Sequence, residues 1–234
     1  MKQNFKYQET DKVYDLISEN YFLLSIFSRF GIPLGFGDKN IKQICEENKV
    51  DLNTFLIIVN LLSNPNFFKT TNQVLESLNL KFLIKFLNKS HDYFLNYKFS
   101  KIRSELEKAL IVGDKPTASV IMKYYDEYVE EVNNHMMYEE TTVFIYVNDL
   151  LSKKKMLDYN IDIFKKNHDQ VESKLQELTS IIIKYYNIDN TNALYNILFD
   201  IFVCAEDLKT HNIIEDNLFV PAVELLEQQI NNTI

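Results

Sequence analysis

The chain's 234 residues can build one large domain or two smaller ones, and 46% of them are hydrophobic, ample material for a core. A formal net charge of −8 and a pI near 5.1 argue against nucleic acid or an anionic membrane surface as a direct partner. Four Gly and four Pro are sparse for this length, so long uninterrupted elements are expected rather than many tight turns.

Residues 1 to about 10 read as a loose tail with no apolar core, and no signal peptide is expected. Two cysteines, Cys45 and Cys204, lie far apart without Cys-x-x-Cys spacing, which fits a reducing compartment. Apolar runs such as Phe55 to Leu62 are far too short for a membrane span, so a cytoplasmic location is expected. From Asp11 to about Asn64 the pattern predicts three short helices. The first covers Val13 to Phe30 and ends at Gly31-Ile32-Pro33. The second runs through Ile41, Ile44 and Cys45, and the third covers Leu52 to Leu62 with Asp51 as N-cap. Thr70 and Thr71 begin a short connecting helix, and a domain boundary is placed near residue 75, giving a small helical N-terminal domain (1–75) and a second domain (76–234).

Four long helices are predicted next: A at about 79–112, B at 116–151, C at 157–186 and D at 190–229. Gly113, Asp114 and Pro116 form a stop-and-start signal between A and B. Pro221 falls inside D and should kink or end it soon after Glu215. Apolar positions recur in alternating steps of four and three, the inward seam of an antiparallel up-down four-helix bundle. The seam holds Leu80, Ile84, Leu87, His91 and Phe94 in A, and Ile121, Tyr125, Tyr128, Val132, His135, Glu139, Thr142 and Tyr146 in B. In C it holds Ile161, Phe164, His168, Val171, Leu175, Leu178, Ile182 and Tyr185. In D it holds Ile197, Ile201, Cys204, Leu208, His211, Glu215, Leu218, Ala222 and Leu225.

All four histidines of the chain and two glutamates therefore lie on an apolar seam, where a polar side chain is costly unless something satisfies it. They form one unit used twice: a His-Asp pair, then His-x-x-x-Glu followed by a second acidic residue and a Phe. His91 and His168 open the two units, His135 with Glu139 and His211 with Glu215 complete them, and Phe144 and Phe219 follow. Positions i and i+4 share a helix face, so each pair sets an imidazole beside a carboxylate. Counted from the turn near 114, His91 and His135 are 23 and 21 residues away. At roughly 1.5 Å per residue that is a mismatch of about 3 Å. The other connections give similar agreement, which puts all six side chains at one level of the bundle.

Four imidazoles and two carboxylates suit a pair of first-row transition metals, each with two histidines and both bridged by Glu139 and Glu215, leaving open positions for a small diatomic molecule. The zinc-protease pattern His-Glu-x-x-His is absent. The bland alternative is a set of satisfied core histidines in a metal-free helical adaptor. One seam histidine fits that reading well, and two matched pairs level with two more histidines fit it poorly.

At these residues the chain resembles the hemerythrin-like domains, over about 80 to 228. The four-histidine, two-glutamate set is most similar to the di-iron Repair of Iron Centres family. Phe30 to Lys39, Ile44-Cys45-Glu46 and Val50-Asp51 resemble that family's small N-terminal domain. The resemblance implies a non-haem di-iron protein, oxo- or hydroxo-bridged, with His91, His135, Glu139, His168, His211 and Glu215 as ligands. It further implies a role in nitrosative and oxidative stress through iron–sulfur cluster repair or iron donation, with damaged iron–sulfur proteins as partners. Leu34-Gly35 stands where the family usually carries a Cys-Cys pair, so chemistry that needs a vicinal dithiol does not carry over, and Cys45 reads as a buried structural cysteine. Alternatives are an O2- or NO-binding sensor or scavenger that signals to a protein partner, and a di-iron reductase of NO or peroxide.

Overall fold

A computed structural model describes residues 5–65, 68–110, 114–153, 159–167, 172–186 and 192–232. The fold is an all-α helical bundle with no strand among the described residues. In chain order the helices are α1 Val13–Glu19, α2 Leu24–Arg29, α3 Ile41–Glu47, α4 Leu52–Ser63 and α5 Asn72–Glu76. Then come α6 Leu80–Tyr93, α7 Phe99–Leu110, α8 Lys115–Tyr138, α9 Phe144–Leu151, α10 Ile161–Asn167, α11 Glu172–Tyr185, α12 Asn192–Ile214 and α13 Val220–Asn231. Five-residue π-helical turns join α6 to α7, α8 to α9 and α12 to α13.

The helix expected over Val13 to Phe30 is broken at Asn20. Its backbone is extended, and its side-chain oxygen accepts the Phe22 N–H at 3.2 Å, so one residue ends α1 and caps the short 3-10 turn Tyr21–Leu23 before α2. After α2, Gly31 adopts φ 72°, a backbone region that glycine enters without a side-chain clash. The Gly31 and Ile32 N–H groups then close onto the Ser28 and Phe27 carbonyls, which satisfies the helix C-terminus. Asn40 and Gln43 form a reciprocal capping box on α3, and Asp51 accepts the Thr54 N–H at 2.8 Å to start α4, as expected.

The chain forms two compact units. The first comprises residues 1–90, 144–167 and 210–234. Its core joins the N-terminal helices to α6 through aromatic contacts, Phe27 with Phe55 at 5.2 Å and Phe30 with Phe86 at 5.0 Å. The Asn79 N–H donates to Thr54 Oγ1 across the same contact. The segment read as a loose tail is held here from residue 5 on. Buried Asn60 of α4 accepts the Tyr7 N–H at 2.8 Å and donates to the Tyr7 carbonyl at 3.0 Å, pairing with the backbone as a neighbouring strand would. Glu227 of α13 accepts both the Tyr146 hydroxyl and the Ile161 N–H, tying α9, α10 and α13 at one carboxylate. The α-helix of D is interrupted soon after Glu215, as expected, by the π turn Glu215–Phe219, and Pro221 sits in the first turn of α13, where a missing N–H is tolerated. The carbonyl four residues before it, Asn217, accepts the Thr70 hydroxyl instead.

The second unit comprises residues 91–143 and 168–209. Its core is the predicted seam: Ile121, Tyr125, Tyr128 and Val132 meet Leu175, Leu178 and Ile182, and Ile197, Ile201, Cys204 and Leu208. Buried hydroxyls find backbone partners, Tyr125 on the Phe99 carbonyl at 2.8 Å and Tyr186 on the Leu110 carbonyl at 2.6 Å. Lys98 is buried and held by Asp200 at 2.9 Å.

Three seam positions differ from expectation. Tyr185 is 74% exposed and Tyr186 takes its place in the core. Within the second π turn Thr142 is only half-buried whereas Val143 is buried, and past the third Leu225 is only half-buried whereas Val223 is buried. A π turn adds one residue to a helical turn, so the buried face advances by five instead of four: Phe94 to Phe99, Glu139 to Phe144 and Glu215 to Val220. Asn60→Ala should strand two buried backbone groups of Tyr7 and destabilise the protein by about 1–3 kcal/mol in denaturant unfolding; no measurable change would show that the N-terminal segment is not held through that side chain.

Candidate metal centre

His91 lies near the end of α6, three residues before the first π turn, while Glu139 and Glu215 are the first residues of the other two. His135 and His211 precede their glutamates by four residues, one face of α8 and α12 respectively. His91, Glu139 and Glu215 have no solvent exposure and His211 has 3%. One donor atom from each of these four lies within 4.8 Å of every other.

Glu139 is the best-defined member. Its Oε2 lies 2.9 Å from His91 Nε2, and its Oε1 lies 2.8 Å from His135 Nε2. Each oxygen of one carboxylate thus faces a different imidazole. Glu215 Oε1 sits 3.2 Å from His211 Nε2 in the equivalent pair. His135 is more open than the rest, its side chain 14% exposed. His168 lies outside the described residues.

This donor set suits a bound metal on two counts. Burying two carboxylates in an apolar core is costly unless cations compensate them, and neutral imidazoles bring none. Secondly, two donors at right angles on one ion, each about 2.1 Å from it, are about 3 Å apart. The three imidazole–carboxylate gaps of 2.8 to 3.2 Å fall at that spacing.

Residues 83–223, more than half of the chain, match the Hemerythrin HHE cation binding domain. The chain belongs to the hemerythrin family. No curated protein matches it. The family's domain binds cations, and the buried His/Glu cluster places donors for one in this member, so the protein is metal-binding. The match spans nearly the stretch on which the sequence resemblance rested.

The π turns explain how a hemerythrin-family bundle keeps both its glutamates and its core. In an unbroken α-helix the residue four beyond Glu139 shares its face, and that residue is Val143. The wider turn lets Val143, Phe144 and Val147 pack while Glu139 remains aimed inward. Phe144 and Phe219, which follow the two glutamates, meet edge to face at 5.5 Å with an interplanar angle of 85°. Glu140 is a further participant that periodicity did not single out, its Oε1 being 3.0 Å from His91 Nδ1. The signal for it was present, since an acidic residue follows the glutamate in both copies of the motif.

Met136, which follows His135, is buried in the core, and Asp92, which follows His91, accepts from Asn96 on an exposed face. Burial pushes the Cys45 thiol up to about 12, with Asp51 and Glu46 adding to the effect, so it stays protonated and inert at neutral pH. Deleting exposed Thr141 removes the extra residue of the π turn and leaves a regular α turn from Glu139 to Phe144, which keeps the flanking helices on one face but changes the backbone geometry at Glu139. The variant should keep its helical circular-dichroism signal but bind Fe(II) or Zn(II) at least about tenfold more weakly in competition titrations; unchanged affinity would show that the π turn does not position Glu139.

Proposed function

We propose that this hemerythrin-family chain carries a non-haem di-iron centre. His91, His135, His168 and His211 would be its nitrogen ligands, and Glu139 and Glu215 would be its carboxylate ligands, shared between the two ions. The observation that carries this reading is Glu139, whose two oxygens face Nε2 atoms of two different histidines, the disposition a bridging carboxylate needs. When bound, two irons supply one-electron redox chemistry and open positions for O2 or NO. The chain's own residues do the rest. Glu139 and Glu215 would offset the metal charge in a dry interior, the histidines would supply neutral nitrogen ligands, and the buried Phe144–Phe219 pair follows the two glutamates in the core.

In this reading the protein acts in the cytoplasm under nitrosative or oxidative stress, restoring damaged iron–sulfur clusters or donating iron to them. Residues 1–75 form the module that engages the damaged partner, and nucleic acid plays no part. A second reading, an O2 or NO sensor or scavenger that signals through the same module, is favoured by one feature. The turn Leu34-Gly35 offers no thiol, Leu34 itself being exposed, and Cys45 is buried and protonated, so no reactive cysteine is available there. A di-iron reductase of NO or peroxide uses the same open positions and differs in turning over.

The deciding assay adds iron-loaded protein to an iron–sulfur hydro-lyase inactivated by NO or peroxide. Recovery well above that given by equimolar free ferrous iron supports repair. Failure to exceed free iron, alongside reversible NO binding in the optical spectrum, contradicts repair in favour of the sensor.

A further inference from the structure

The geometry points to Glu140 as a positioning residue: we propose that it fixes the tautomer and orientation of His91 so that Nε2 is presented to the metal. This inference rests on the di-iron reading of the same site. His91 lies between two carboxylates on consecutive residues, Nε2 facing Glu139 at 2.9 Å and Nδ1 facing Glu140 at 3.0 Å. Both partners are carboxylates, which accept hydrogen bonds when ionised; with a metal held in the cluster that contains Glu139, Nε2 would give its lone pair to the ion, and the hydrogen would lie on Nδ1 and be donated to Glu140. A neutral imidazole has one N–H, and placing it at Nδ1 leaves the Nε2 lone pair directed at Glu139 and the ligand cluster.

The two carboxylates are not equivalent. Glu139 has no exposure and belongs to the four-residue cluster, whereas the Glu140 side chain is 33% exposed and lies outside it. Glu140 therefore touches a ligand without being one. Consecutive helical residues point about 100° apart and do not usually reach one side chain. They do so here in the π turn that begins at Glu139. Carboxylate partners of ligating histidines typically change metal affinity 10–100-fold, because they hold the ring and raise its basicity. The chain uses the same acidic step in its second motif, where Asp216 follows Glu215.

The test compares wild type, Glu140→Ala, Glu140→Gln and a control at the exposed Glu127, Glu127→Ala. Each is loaded with Fe(II) anaerobically and challenged with a ferrous chelator. Glu140→Ala should release iron about 10–100-fold faster than wild type. Glu140→Gln, whose amide oxygen can still accept from Nδ1, should fall between them, and the control should match wild type. The metal-free thermal midpoint of Glu140→Ala should stay near that of wild type, since the side chain removed is half-buried and lies outside the apolar core. Equal release rates in wild type and both Glu140 variants would overturn the inference and leave the metal site standing. Faster release accompanied by a proportionate fall in the metal-free midpoint would also overturn it, as a general loss of helix stability. Wild type that takes up no iron would instead remove the di-iron reading itself.

Discussion

Everything at the centre of this protein follows from two carboxylates buried in an apolar bundle. Glu139 and Glu215 are wholly excluded from solvent and have donor atoms within 4.8 Å of one another, with His91 and His211 completing the cluster. A single ionised carboxylate in such surroundings costs several kcal/mol, and a second one nearby adds repulsion. Hydrophobic packing cannot offset that. Cations can, either as protons on the surrounding imidazoles or as metal ions that use all of the nitrogen lone pairs together. The histidines, the π turns and the family's cation-binding character are consistent answers to that one constraint.

The helices show how the constraint is met locally. A bundle helix keeps its buried face by stepping in threes and fours, and a polar residue inserted on that face takes the place of an apolar one. The π turns relieve this conflict: each holds a ligand-bearing face above and an apolar face below, with one extra residue between them. Two of the three begin on the glutamates themselves. Departures from ideal local geometry collect where function costs stability, and Thr70 completes the pattern by satisfying the Asn217 carbonyl that Pro221 leaves open in the last of these turns.

Much of this was legible in the residues. The seam periodicity gave the helices and their inward faces because burial repeats at fixed steps, and Asp51, Asn40 and Gly31 mark ends whose capping chemistry is local. The His-x-x-x-Glu pairs stood out because polar side chains on an apolar stripe need a reason. What escaped was non-local or depended on an irregular step. Asn60 is an unremarkable helix residue until Tyr7 arrives from 53 positions away. Thr142 and Leu225 were placed on the seam by a period that the π turns interrupt, and Tyr185 and Tyr186 differ by one step at a helix end, where periodicity is least constrained. Glu140 was visible as a repeated acidic residue, yet its role required knowing that α6 brings His91 between it and Glu139.

The central claim is that the buried carboxylates are neutralised by two metal ions, and metal stoichiometry tests it most directly. Protein purified without oxygen, or reconstituted with ferrous iron, is assayed by mass spectrometry for metal per chain, and its optical spectrum is recorded after exposure to air. Two irons per chain, with near-ultraviolet oxo-to-iron charge-transfer bands that vanish in Glu139→Ala, is the predicted result. A chain that retains no metal after reconstitution would contradict the account, and the imidazoles would then be the cations that Glu139 and Glu215 require.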